Sequence, residues 1–332
     1  MGYQVRVEPS GKTFEVVGGD SLLEAALRAG LPFAYGCSNG HCGQCRARLL
    51  AGRVETVRHH DFSFGEAGTL AGAILSCAVT AASDLVLEAG EAAGVEQIRP
   101  QSLSTRLHEV TAVDEALALV TLRTPRSQRF RFVAGQRARL SAPGLPPLEL
   151  GIASCPCEEG VLRFDLPRVG DAALATALLE GRLRRFSTIG VDGPEGRFVL
   201  DTDDPRPLLL VAVDSGFAAI RSLVEHALAL EQCPALFLWR VATRPPGLYL
   251  DNLCRTWGDA LDDFDYRPHQ LPGADAAAVA ALADALAATL PEEPLATYVA
   301  GPVALAEPLA ERLRELRGGR GALYLETAGC PG

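Results

Sequence analysis

The stretch YGCSNGHCGQC, residues 35–45, sets Cys37, Cys42 and Cys45 at C-x4-C-x2-C spacing in a glycine-rich loop. Thiolates so spaced can curl round one small metal centre, and Gly36, Gly40 and Gly43 admit the unusual dihedrals such a loop needs. A fourth cysteine, Cys77, stands far downstream in the apolar segment AILSCAVTA, which a fold can return against the loop. Three cysteines at this spacing plus one distant cysteine form the plant-type pattern for a [2Fe–2S] cluster. The alternatives fit less well. A zinc site usually has two short Cys/His pairs, and no second C-x2-C exists here. A Rieske centre takes two histidines, whereas His41 stands alone beside the loop. A thioredoxin-type pair would employ Cys42 and Cys45 and leave the other two unexplained.

The chain has nine cysteines, an odd number clustered early, which does not read as a secreted disulfide framework. Cys155, Cys157, Cys233, Cys254 and Cys330 read as scattered, mostly buried small hydrophobes. A formal charge of −10 without any basic run argues against nucleic-acid binding. With 332 residues, 48% of them hydrophobic, the chain can bury two or three cores. No apolar run suits a bilayer span, and the N-terminus lacks the pattern of a secretory signal, so a cytoplasmic protein is expected.

The expected fold class is multidomain, α+β followed by α/β. In residues 1–98, YQVRVEP and KTFEVVGG alternate as two strands, and DSLLEAALRAG reads as a helix capped by Asp20 or Ser21 and ended by Gly30. CRARLLAGRVE and DLVLEAGE read as further strands, giving a β-grasp domain around the cysteine loop. Gln101–Thr105 reads as a linker. Residues 99–203 are strand-rich (EALALVTLRTP, ARLSAP, VLRFDLP, TIGVDGPEGRFVL), with one short helix near DAALATALLEG, and predict an antiparallel β-barrel. From 204 to 332 buried strands (PLLLVAVDSG, ALFLWRVA, ATYVAGP) alternate with helices, which predicts a parallel α/β domain. Such sheets bind ligands beyond the carboxyl ends of their strands, here at VAVDSG and YVAGP.

Taken in order, the cysteine loop, FVAGQ, GPEGRF and the α/β half resemble the iron–sulfur flavoprotein reductases that feed bacterial oxygenases. These belong to the ferredoxin–NADP reductase superfamily and carry an N-terminal ferredoxin domain. Phe132, Gly135 and Gln136 match its F-x-x-G-Q segment beside the flavin; Gly193, Pro194, Gly196 and Phe198 match its G-P-x-G-x-F turn. Trp239, Arg244 and Tyr249 approach its Y/W-G-x-R-x-x-x-D-L-Y segment, and Ala300, Gly301 and Pro302 its late C-G-P-P motif. The flavin signature R-x-Y-S-x-A-S falls on LELGIAS, where Ala153 and Ser154 match but Leu148, Leu150 and Gly151 replace the arginine, the aromatic and the first serine. The nucleotide loop G-G-T-G-x-A-P falls on VDSGFAA, keeping Gly216 and Ala218, with Ser215 for threonine and Asp214 facing a pyrophosphate position. Ala300 stands where the family holds a cysteine.

The resemblance implies an electron-transfer oxidoreductase that moves electrons from NAD(P)H through FAD to the [2Fe–2S] cluster and on to an oxygenase component or similar redox protein. Cys37, Cys42, Cys45 and Cys77 would hold the cluster. Gln136, Gly151, Ile152, Ala153, Ser154, Gly170, Ala175 and Thr176 would meet the flavin, and Ser215, Gly216, Gly301 and Pro302 the nucleotide. Arg240 and Arg244 are candidates for a 2′-phosphate. A second reading keeps the cluster and the scaffold but loses flavin or NAD(P)H binding, because the departures fall at cofactor contacts.

Overall fold

The computed structural model describes the chain outside residues 1, 30, 32, 34, 36–39, 42, 91–97, 99, 116, 126–129, 159, 169–172, 202–203, 231–234, 274 and 328–332. Cys37, Cys42 and Gly170 of the expected site thus lie outside the described residues. The chain divides into two compact units, Met1–Arg99 and Pro100–Gly332.

In the first unit, β1 (Gly2–Glu8) and β2 (Thr13–Val17) form an antiparallel hairpin, and α1 (Leu22–Arg28) follows. Ser21 is the N-cap: its side chain accepts from the Glu24 amide while the Glu24 carboxylate accepts from the Ser21 amide, a reciprocal capping box. The expected strand CRARLLAGRVE is two, β3 (Arg46–Ala51) and β4 (Val54–Thr56). After α2 (Gly65–Leu70) come β5 (Ala73–Leu75), β6 (Val79–Ala81) and β7 (Leu85–Ala89). The main sheet runs β2-β1-β7-β3-β5, with β4 and β6 paired separately. Val5, Val7, Leu22, Leu23, Ala26, Leu75 and Leu87 centre its core.

The second unit opens on β8 (Gln101–Ala112), so Gln101–Thr105 is strand, not linker. Its alternating pattern STRLHEV pairs antiparallel with β9 (Leu117–Arg123) on one side and β13 (Thr188–Glu195) on the other. With β10 (Arg137–Ser141), β11 (Leu148–Gly151) and β12 (Val161–Pro167), the order is β11-β10-β13-β8-β9-β12. A bridge between Ile152 and Phe164 brings the two edges together, which nearly closes the barrel. The short helix α3 (Ala173–Leu179) buries Leu174, Ala175 and Leu178 against that core.

A parallel sheet of order β16-β15-β14-β17-β18 follows, from β14 (Leu208–Val213), β15 (Leu236–Ala242), β16 (Phe264–Gln270), β17 (Leu295–Ala300) and β18 (Gly321–Glu326). Every residue of β14 is buried. Leu208, Leu210 and Ala212 join one core, and Leu209, Val211 and Val213 the opposite one. That two-sided burial requires a continuous apolar run rather than alternation. α4 (Phe217–Leu230), α5 (Asp251–Ala260), α6 (Ala276–Ala287) and α7 (Val303–Leu316) cover the sheet. Among the described residues no helix is long and apolar enough to cross a membrane.

Candidate functional site

Cys45 precedes β3, and Cys77 sits in the turn between β5 and β6. Their sulfurs lie 3.2 Å apart, buried and without a disulfide bond between them. Local hydrogen bonds set this approach: the Ser76 amide and hydroxyl both donate to the Cys45 carbonyl, at 2.9 and 3.1 Å. The Leu23 amide in the first turn of α1 donates to the Ser76 carbonyl at 3.0 Å, so the capped helix holds the same turn. Gly43 has φ +67°, and a Cβ there would fall 2.1 Å from the Phe62 ring, so glycine is required. Two soft sulfur donors side by side, buried and tied by backbone bonds, fit adjacent ligands of one iron–sulfur centre. His41 is exposed.

In the second unit, the residues expected to touch a flavin mostly build a seam. The Gln136 side chain, 3% exposed, accepts from the Val133 amide at 2.8 Å and donates to the Gly196 carbonyl at 3.1 Å. It thereby ties the FVAGQ loop to the GPEG turn. Gly151 pairs with Arg137 and faces the start of α4, where a Cβ added at Gly151 would lie 3.4 Å from Ala219. The Ile152 amide donates to the Gln136 carbonyl, and the Ala153 amide to the Arg163 carbonyl. Ser154 Oγ accepts from the Arg163 amide, while its carbonyl accepts from the Ser222 hydroxyl. Ala175 is fully buried in the barrel core, and Thr176 lies on the same helix, half-buried.

At the sheet, the turn Asp214–Gly216 follows β14 beside the first residues after β17. Gly216 packs so closely that an added Cβ would lie 2.0 Å from the Ala300 carbonyl oxygen. Gly301 meets Val213 in the same fashion, and Pro302 caps α7. Asp214 lines the crevice, but its carboxylate accepts from the Thr243 amide at 2.7 Å and the Thr243 hydroxyl at 2.6 Å, with Arg244 Nε at 3.5 Å. Its charge is therefore engaged before any pyrophosphate could meet it. Arg240 is corrected as a 2′-phosphate candidate, because it is 2% exposed and stacked 3.5 Å over the Phe217 ring.

Ser215 lines a cavity of about 350 Å³ beyond the ends of β14 and β15. Leu117, Pro167 and Tyr249 give it apolar walls, and Arg168 and Arg244 stand as cations at its edge. Leu117 and Arg168 escaped the sequence reading; the signal for Arg168 was a cation directly after the buried strand VLRFDLP. Asp165 also lines the cavity and accepts from the Tyr249 hydroxyl at 2.8 Å. Burial pushes the Asp165 carboxyl up, opposed by Arg221, the Tyr249 hydrogen bond and Arg240. Burial likewise pushes Tyr249 well above its ordinary value, so its hydroxyl keeps the proton it donates. An apolar wall with cations at its edge suits a flat ring system that carries phosphate.

His226 lies inside α4, and burial brings its pKa down to about 4. The neutral form is the folded one, so between that value and the ordinary 6.5 the unfolded chain binds more protons. Stability is full above the unfolded pKa and falls as pH drops, by about 2 kcal/mol between pH 7.5 and pH 5 for this one group. Urea unfolding at both pH values should register that loss in the wild type and not in His226→Gln. Asp165 works in the opposite sense, which is why the difference between the two proteins is the quantity to read.

The family model for a 2Fe-2S iron-sulfur cluster binding domain matches residues 5–82. The chain is 27% identical over 267 residues to the reductase component 1 of terephthalate 1,2-dioxygenase from Comamonas sp., covering 80% of this chain and 78% of that one. A solved cytochrome P450 reductase from Amycolatopsis aligns over 99% of both chains with TM-score 0.59 and 21% identity. A ferredoxin NADP+ reductase from Neisseria gonorrhoeae, solved with bound FAD and NADP, aligns with 68% of this chain and 98% of its own at TM-score 0.55 and 16% identity. Residues 5–82 thus match a 2Fe-2S cluster binding domain, the chain as a whole is similar in sequence to an oxygenase reductase component, and it shares its fold with these solved reductases.

Proposed function

We propose that this chain is an NAD(P)H-dependent electron-transfer oxidoreductase that passes electrons by way of FAD and a [2Fe–2S] cluster to an oxygenase component or similar redox protein. A flavin supplies a hydride acceptor able to release electrons singly, and the cluster supplies a one-electron carrier. Residues 1–98 form the ferredoxin domain, 99–203 the flavin-type barrel and 204–332 the nucleotide-type domain. A cytoplasmic location goes with an NAD(P)H donor.

Cys37, Cys42, Cys45 and Cys77 hold the cluster. Leu117, Pro167 and Tyr249 exclude water from one face of the cavity and stack against a ring. Arg168 and Arg244 take phosphate charge, and Ser215 offers its hydroxyl at the end of β14. Gln136 and Gly151–Ser154 act at one remove: Gln136 ties two barrel turns together, and Ser154 joins the barrel to α4, the helix that follows Ser215 of the cavity. The observation that carries the reading is the pair of buried sulfurs at 3.2 Å in a chain that also holds this cavity at its sheet ends.

One set of observations favours the second reading, a cluster-bearing docking protein. The family's flavin arginine is Leu148, and Gln136, Gly151, Ser154, Gly216 and Gly301 are all engaged in packing or backbone bonds. An anaerobic visible spectrum separates the two. Flavin bands beside cluster bands, bleached on adding NADH or NADPH, are the expected result. Cluster bands alone, unchanged by nucleotide after added FAD, would leave the docking reading standing. Arg168→Ala and Arg244→Ala should each weaken flavin or nucleotide binding roughly 10- to 100-fold, the loss of one charge-assisted contact, by fluorescence or calorimetric titration. Unchanged affinity in both would remove this cavity from the mechanism.

A further inference from the structure

Cys155 and Cys157, which read in the sequence as scattered small hydrophobes, are joined in the structure as a disulfide across Pro156, with Cα atoms 5.2 Å apart. Cys155 is buried, and its sulfur lies 3.9 Å from His226 Nδ1 on α4. Cys157 is half-buried, and its amide donates to Cys155 Sγ at 3.2 Å.

A structural staple explains this bond poorly. Cross-links stabilise mainly by restricting the unfolded chain, an effect that grows with the loop they close, and here the bonded residues are two positions apart. The segment is also held without the bond. Ser154 is hydrogen-bonded to Arg163 and Ser222, the Glu158 amide donates to the Cys155 carbonyl at 3.1 Å, and Glu158 forms a fork with Arg163. The disulfide can therefore open with the fold intact. Unequal burial then sorts the sulfurs, since thiol exchange depends on which sulfur an incoming thiolate can reach.

We infer that Cys155-Pro156-Cys157 is a redox-active thiol–disulfide site that exchanges with a thiol-bearing partner, Cys157 being the sulfur attacked. A partner thiolate attacks Cys157 Sγ, the S–S bond breaks, and Cys155 leaves as a thiolate that takes a proton from water. A second partner thiolate then attacks the partner's own sulfur in the mixed disulfide and releases Cys157, which is protonated in turn. Two thiols become one disulfide, and the protein pair gains two electrons and two protons. The site stands apart from the electron-transfer reading, because its thiol content is measured without flavin, nicotinamide or cluster.

The test uses the full chain, folded and anaerobic, equilibrated with graded ratios of reduced and oxidised glutathione. Acid quenching, maleimide alkylation and mass spectrometry of the peptide that contains residues 155–157 then give its redox state. Reversible passage between disulfide and dithiol without denaturant is the expected result. Cys155→Ser should form a glutathione adduct on Cys157, and Cys157→Ser should form one on buried Cys155 slower by roughly tenfold or more. A disulfide that opens only in denaturant, a dithiol that never recloses, or faster adduct formation at Cys155 would each overturn the assignment. Circular dichroism reports whether the variants fold, and if either does not, the wild-type titration decides.

Discussion

Cys77→Ser is expected to leave the chain without a stable cluster, with iron and acid-labile sulfide per chain reduced more than roughly tenfold. Cys77 is 1% exposed and its sulfur meets that of Cys45 at 3.2 Å, so a replacement donor would have to reach into the buried β5–β6 turn. A serine oxygen is harder and reaches less far than a thiolate, and three thiolates with one alcohol hold the centre poorly. Ser76 and the α1 amide that anchor the turn are untouched, which isolates the missing ligand from misfolding. Electron paramagnetic resonance of the dithionite-reduced variant is the measurement, and an undiminished ferredoxin signal would remove Cys77 from the ligand set. Cys254→Ser, at the chain's other buried thiol outside a disulfide among the described residues, should keep the full signal.

Gly216→Ala is expected to destabilise the second unit by about 3 kcal/mol, the upper part of the range for overpacking a tight contact. The new methyl would lie 2.0 Å from the Ala300 carbonyl oxygen and 2.6 Å from the Gly301 amide nitrogen, both backbone atoms that cannot rotate aside. Either the start of α4 or the end of β17 must move, and each carries a strand or helix buried on both sides. A thermal melt should show a drop of roughly 6–12 °C for a unit of this size. This separates two roles for a glycine in a nucleotide-loop position. One that only admits a pyrophosphate would lose affinity on substitution and keep its melting temperature. Gly216 should lose stability with or without nucleotide, because its nearest neighbours are protein backbone.

Several elements were legible because their signal is local. The Ser21–Glu24 capping box and the apolar spacing Leu22, Leu23, Ala26 announce α1, and two-sided burial announces β14 by its unbroken apolar run. The strands β16 and β18 lay hidden for the opposite reason. FDYRPHQ and GALYLE are the two edge strands of the sheet, and most of their residues are half-exposed, so polar side chains are tolerated and no apolar run forms. Gln101–Thr105 looked like a linker because its serines and threonine mask an alternation whose inward members are Leu103 and Thr105, the latter satisfied by donating to the Ile189 carbonyl at 2.7 Å.

The sequence by itself determined the cluster chemistry and the order of the architecture. Cysteine spacing is a short-range property, and the two hydrophobic periods of strand and helix are written along the chain. Tertiary structure alone decided where charges and sulfurs point. Asp214 looked like an obstacle to a pyrophosphate and instead caps Thr243 at the neighbouring strand end. Arg240 looked like a phosphate ligand and instead is buried on Phe217. Cys155 and Cys157 looked incidental until the turn around Pro156 brought their sulfurs together and left one inside and one near the surface. The physical reason is common to all three: burial and partner are set by which distant elements pack against a residue, and those neighbours lie tens of positions away in the chain.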